Sequence, residues 1–308
     1  MEGEYWLGLA KTSWWLSRFK GYEREGDGVE SFFLKAQATD PNSTVFLYPL
    51  IYYYLTTGHT EKGFKFVNHL GMVDPGAYGV LKKNSSWSEE LEDQFRMGLQ
   101  AATTDQFVGE QARRVMVSIA VKEDDWITAA TYTEELIENS RSKVPPHLYV
   151  QLGRYYLELE NKEKAGNAFL QSIKVSDDRY QTLQNLLRAF AKPRSLDLYI
   201  QLCKDTATFD ADVQDKMMLL LGKAYFSHNN LDAALQYFRT SLQKKETGEA
   251  YRYLSEIAMK KKDWDTAELA SKRATELEPK NAHYSLLYVR CLQAQKKYVQ
   301  ALEAIRRA

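Results

Sequence analysis

Six residues recur in this chain at one fixed interval. Tyr149, Leu152, Gly153, Tyr156, Ala165 and Phe169 are each followed, 69 residues on, by Met218, Leu221, Gly222, Tyr225, Ala234 and Phe238. The interval is close to two periods of 34, and 34 is also the separation of Ala267 from Ala301 and of Pro41 from Pro75. A period of this length marks stacked repeats, not one globular core. A unit so short cannot bury its own apolar face, so neighbours must stack and each contacts only the next. The length of 308 residues suits such an array, which grows without enlarging any single core. Apolar residues spaced by three and four make the units helical. Only 7 prolines and 16 glycines are present, too few for the turns of a β protein of this size.

The frame extends in both directions. Tyr251, Leu254, Ala267, Ala274 and Pro279 fit the next unit, and Ala301 opens the second helix of another. Near the start, Leu16, Phe33, Ala36 and Pro41 fit one unit, and Leu50, Tyr54, Gly58, Gly63 and Pro75 fit its successor. The stretch around Trp126 and Ala129 reads as a turn and second helix. The stretch from Leu186 through Phe190 to Cys203 reads as a shortened unit. Residues 76–107 fit worst and read as an atypical helix pair or an insertion. The expected segments are therefore 1–75, aromatic-rich; 76–107, irregular; 108–210, mixed; and 211–308, regular. Asp40-Pro41, Asp74-Pro75 and Glu278-Pro279 are expected to end second helices, because a proline ring cannot continue the hydrogen-bond ladder.

The order large residue, Leu-Gly, Tyr, Ala, Phe resembles the tetratricopeptide repeat. The resemblance implies an all-α fold, a right-handed superhelical solenoid of antiparallel helix pairs with about eight to nine units, some degenerate. It also implies that first helices line a concave groove. The position just after the Leu-Gly pair would face that groove, and in the five C-terminal units it is Arg154, Arg188, Lys223, Glu256 and Arg290. Neighbours three or four residues away include Gln151, Gln184, Asn185, Leu219, Phe226, Arg252 and Leu287. A basic stripe with apolar contacts suits an acidic or amphipathic partner segment. The Lys-then-Asn pair of the chaperone-tail clamp is missing from Val150/Arg154, Leu219/Lys223 and Arg252/Glu256, so chaperone tails are not the expected partner.

The first third carries Trp6, Trp14, Trp15, Phe19, Tyr22, Phe32, Phe33, Phe46, Tyr48, Tyr52, Tyr53 and Tyr54. Most are expected in the core. Tyr48 and Tyr52 fall on the groove side and are candidate contacts, since aromatics dominate binding hot spots. Lys260-Lys261-Lys262 reads as a solvated turn. Lys+Arg and Asp+Glu balance at 41 each, which argues against a general nucleic-acid binder. His59, His69, His147, His228 and His283 form no HExxH pair or Cys/His cluster, so no metal site is expected. No nucleotide, dinucleotide or nucleophile-elbow motif occurs. Neither catalysis nor a cofactor is expected.

The most apolar run, Val45–Leu55, is too short to span a bilayer and contains Pro49. Cys203 and Cys291 read as helix residues and leave the compartment open between cytoplasm and periplasm. The triplets Asn42-Ser43-Thr44 and Asn84-Ser85-Ser86 fit a glycosylation pattern that is common by chance. The abrupt opening and the stop at Ala308 within a second helix read as a fragment of a larger protein. The expected role is a non-enzymatic scaffold for complex assembly. The alternative is a periplasmic solenoid of an exopolysaccharide-export or envelope machine, its aromatic zone touching polymer or a modifying enzyme. Self-association through the chain ends is a third expectation.

Overall fold

The computed structural model describes all residues except 21–27, 84–86, 189, 191–195 and 308, and it leaves the side chains of 17–20 and 307 undescribed. Phe19, Tyr22, Ala308 and the triplet at Asn84 thus lie outside the described side chains or residues. Among the described residues every regular element is helical. The chain forms two compact units, 1–143 and 144–308. The expected segments 1–75 and 76–107 lie in the first and 211–308 lies in the second, while 108–210 straddles the division. The break falls where Ser140–Lys143 leave the helix and Pro145 and Pro146 open the next one.

The first unit pairs α1 (Glu2–Lys20) with α2 (Val29–Thr39), then α3 (Thr44–Thr57) with α4 (Thr60–Val73). A 3-10 turn at Pro75–Ala77 and a short α5 (Tyr78–Leu81) follow, then α6 (Glu89–Ala102), which packs on α4. The pair α7 (Gly109–Lys122) and α8 (Trp126–Glu138) completes it. The helix α3 runs through Pro49 without ending. Proline strips the Val45 carbonyl of its helical donor, and Val45 is exposed, so water can serve it.

Among its described residues the second unit holds five first and five second helices: α9 (Pro146–Glu158) with α10 (Lys162–Val175), α11 (Arg179–Leu186) with α12 (Leu196–Ala207), α13 (Ala211–Ser227) with α14 (Leu231–Lys244), α15 (Gly248–Lys260) with α16 (Trp264–Leu277), and α17 (Ala282–Ala294) with α18 (Tyr298–Arg307). No described helix is long and apolar enough to cross a membrane.

One turn design joins the helices of most pairs. Asp124, Glu160, Asn229, Lys262 and Lys296 all have φ of 56–60°, and Gly58 has φ 77°. The following N–H bonds back five residues, as Asn161 does to the Tyr156 carbonyl at 2.8 Å and Asp263 to Ala258 at 2.9 Å. That same residue caps the next helix: the side chains of Asp125, Asn161, Asn230 and Asp263 each accept a backbone N–H three residues on. A single residue thus closes one helix with its backbone N–H and starts the partner helix with its side chain. The acidic-Pro pairs act as expected. Asp40, Asp74 and Glu278 are C-caps with extended ψ of 92°, 81° and 74°, the conformation a following proline imposes.

Packing accounts for the six-residue pattern. A Cβ on Gly153 would stand 2.6 Å from the Phe169 ring, and one on Gly222 2.6 Å from the Phe238 ring. Glycine on the first helix makes room for phenylalanine on the second. Both rings are fully buried, each worth about 1.5–3 kcal/mol. They also bridge to the next pair. Phe169 meets Phe190 at 4.9 Å and Phe238 stacks on Tyr253 of α15 at 4.8 Å.

Candidate functional site

The first helices of the second unit carry most of the residues singled out by the repeat. On α9, Arg154 and Gln151 are exposed. On α11, exposed Asn185 accepts a 3.0 Å bond from Gln181. Arg188 is exposed but lies beyond the end of α11, because that helix stops at Leu186; it is therefore not on a helical face as the frame expected.

Lys223 differs most from expectation. It is only 4% exposed, so it is not a groove cation awaiting a partner. Its Nζ lies 2.6 Å from Glu249 Oε1 in the first turn of α15 and 5.7 Å from the Tyr180 ring centre on α11. Burial pushes its pKa down against the pull of Glu249. Three successive first helices thus converge on this ammonium and neutralise it internally.

The next position, Glu256, is the one acid in the row. Arg252, one turn earlier, donates to it at 2.6 Å and lies 3.8 Å above the Tyr253 ring centre. This pair too is satisfied within the protein. Phe226 is half-buried, meets Tyr253 edge-on at 5.2 Å, and carries Lys260 Nζ 4.5 Å above its ring centre. The Lys260–Lys262 run is therefore not one uniform solvated turn. Lys260 is the last residue of α15 and lies on this face, Lys261 pairs with Asp232 at 2.5 Å, and Lys262 is the left-handed turn residue.

Between α15 and α17 opens a cavity of about 250 Å³. Met259, Leu286 and Leu287 give it apolar walls, and Glu256, Lys260, His283 and Arg290 ring it. Leu286 is 48% exposed. Among the described residues neither Lys260 nor Arg290 pairs with a carboxylate. The sequence reading reached Arg290 and Leu287 but missed Lys260, Met259 and Leu286. Their signal was faint: Met259 follows Phe226 by 33 residues, and Leu286 follows Arg252 by 34.

In the first unit the aromatic zone is mostly core. Phe32, Phe33, Phe46 and Tyr54 are buried, and Trp6, Trp14, Tyr48 and Tyr53 pack against them. Tyr48 donates to Asp74 at 3.2 Å, and burial with that carboxylate pushes its pKa up to about 12. It is a strut between α3 and the end of α4. Tyr52 is exposed, with its ring edge-on to Trp14 at 5.7 Å. Tyr5 and Trp15 are exposed as well. Both cysteines are buried, and burial pushes the Cys203 thiol up to about 12, far from a reactive thiolate. No group of three metal-ligating side chains occurs among the described residues.

Family models of the tetratricopeptide repeat match residues 146–179 and 219–274. No curated protein matches the chain. Among solved structures, a tetratricopeptide repeat protein from Parabacteroides merdae is 13% identical over 94% of this chain and 99% of its own, with a TM-score of 0.34. The C-terminal part of a repeat-containing protein from Cytophaga hutchinsonii is 16% identical over 92% and 98%, with a TM-score of 0.36.

Proposed function

Since the chain is a tetratricopeptide-repeat protein, we propose that it works as a non-enzymatic scaffold that takes an acidic or amphipathic partner segment on the first-helix face of its second unit. Protein-interaction scaffolding is the common use of the repeat. What supports the finer reading is the charge left over on this face. Lys223 and Arg252 are neutralised from within, while Arg154, Lys260 and Arg290 have no carboxylate partner among the described residues. Exposed cations beside half-buried apolar groups select segments that combine carboxylates with apolar side chains. Panning a random short-peptide library on the full chain should enrich Asp and Glu over Lys and Arg. Joint reversal of Arg154, Lys260 and Arg290 to Glu should erase that bias. Lys223 is left intact, because its reversal would confront Glu249 inside the fold. Enrichment with no acidic excess, or an excess that survives the reversal, sinks the reading.

One observation favours a second reading, a periplasmic solenoid in polymer export. Tyr5, Trp15 and Tyr52 expose aromatic surface in the first unit, and such rings suit contact with sugars as well as with protein. Calorimetric titration with oligosaccharides would show heat that Tyr52→Ala and Trp15→Ala abolish; an absence of binding removes this reading.

A further inference from the structure

The cavity between α15 and α17 gives the second unit a place where one partner side chain can be anchored. We propose that it is a specificity pocket for a single large apolar side chain, aromatic in size, on a partner segment with carboxylates on either side of that residue. The proposal rests on the scaffold reading above and names the feature of the partner that this face selects.

Size comes first. At about 250 Å³ the cavity holds roughly eight waters. That is below the ~300–1,000 Å³ of small-molecule sites and is room for one large side chain. The walls come next. Met259, Leu286 and Leu287 cannot hydrogen-bond the water that fills the cavity, so displacing that water with an apolar group is favourable. Methionine adapts its shape to its contact, which suits a pocket wall. Leu286 stands where the preceding repeat has Arg252, so the wall is apolar here and charged one repeat earlier.

Charge then decides what flanks the anchor. Glu256 borders the cavity, but its carboxylate is held by Arg252 at 2.6 Å. Lys260 and Arg290 remain, one on each helix bordering the opening. Lys260 is held over the Phe226 ring, which limits its wandering. A basic partner would bring like charge against both cations. An uncharged one would leave them unpaired beneath it. An acidic one satisfies both, so charge complementarity selects carboxylates on either side of the anchor. An apolar anchor inside a charged rim is also the usual layout of a binding hot spot.

The test uses the full chain and synthetic fluorescent peptides carrying one central Phe between Glu pairs, read by anisotropy. Binding should weaken at least tenfold when the peptide Phe becomes Ala, and at least tenfold when its Glu residues become Lys. On the protein, Leu286→Asp and the pair Lys260→Glu/Arg290→Glu should each cost at least tenfold. Both sites are at the surface, and circular dichroism confirms that the variants fold. Arg239→Glu on α14, an exposed cation of a second helix, should change affinity less than twofold. If Phe→Ala peptides bind equally well, or Leu286→Asp has no effect, the pocket is not the anchor. If the acidic library bias persists while these variants are silent, the scaffold reading stands and this pocket falls. If no acidic peptide binds at all, both fall.

Discussion

The crossing of α4 and α6 makes the sharpest stability test, because two glycines meet there backbone to backbone. A Cβ on Gly98 would stand 1.9 Å from the Asn68 carbonyl oxygen, and one on Gly71 2.5 Å from that of Phe95. Ordinary contact begins at 3.4 Å, so Gly98→Ala is about 1.5 Å short of room. Its neighbour is main chain within a helix and cannot turn aside. The helices must separate, and a radial gap of up to about 1 Å already forfeits up to about half the dispersion energy of each contact. Overpacking of this kind costs about 3 kcal/mol or more. Alanine returns about 1 kcal/mol of helix propensity, so the net loss should be about 2 kcal/mol or more. Gly8→Ala on α1 meets nothing within 4 Å and should show only the gain, about 1 kcal/mol. Urea titration followed by tryptophan emission reads the right unit, since Trp6, Trp14, Trp15, Trp87 and Trp126 lie in the first unit and only Trp264 in the second. The double variant Gly71→Ala/Gly98→Ala should cost less than the sum of its parts, because one separation relieves both clashes. A Gly98→Ala chain as stable as the parent, or full additivity, would refute the close crossing.

Two further outcomes follow from buried charges. Burial raises the Glu92 carboxyl, but hydrogen bonds from Lys82, Tyr78 and Arg96 outweigh it and hold the pKa at about 2, below the ordinary 4.5. A depressed carboxyl stabilises above its unfolded value and loses that contribution as pH falls from 4.5 towards 2, on the order of 3 kcal/mol in all. Glu92→Gln should therefore lower the urea midpoint of the first unit at neutral pH and hardly change it near the lower limit; equal losses at both would contradict this. Lys223 has linkage of the same sign, but as a burial penalty that is relieved in base. Its pKa is lowered by burial, so the unfolded chain binds that proton more tightly, and stability should rise as pH climbs towards 10.5. Replacing both partners, Lys223→Met with Glu249→Gln, should abolish that alkaline rise in thermal melts and stay within about 1 kcal/mol of the parent at neutral pH. A loss of several kcal/mol would mean that the ion pair is a net source of stability.

The regular pairs were legible because their determinants are local. Leu-Gly and the later Ala and Phe specify one helix pair each, and the acidic-Pro pairs state where it ends. The turn design was less visible, since five of its six left-handed residues are Asp, Glu, Asn or Lys and carry no glycine signal. What marks them is the capping residue that follows, an Asp or Asn in four of the turns. The stretch 76–107 fitted the pattern worst for a different reason. Its 14-residue helix, α6, docks on α4 through Gly71 and Gly98 and does not use the glycine-phenylalanine fit of α9 with α10 and α13 with α14. Two isolated glycines 27 residues apart announce no such contact in a sequence.

The candidate face was legible as a row of positions and illegible as a charge. The position after Leu-Gly lies on a first helix in four of the five units and past the end of α11 at Arg188, and the repeat frame is blind to what the next repeat brings over it. Glu249 enters 26 residues after Lys223, short of a full period, because it sits in the first turn of α15. Placed there it meets the Lys223 ammonium, while Tyr180 covers the same group from α11. The frame also reads Glu256 as a break in the basic row, yet Arg252 one turn earlier restores a cation and is used up in doing so. Free positive charge is consequently displaced from the middle of the row, where the sequence puts it, to Arg154 at one end and to Arg290 and Lys260 at the other. At the second end an apolar cavity lies between the cations. A partner that needed charge alone would find α9 and α17 equivalent; one that also buries a large side chain would choose α15 and α17, and that difference is what the Leu286→Asp variant measures.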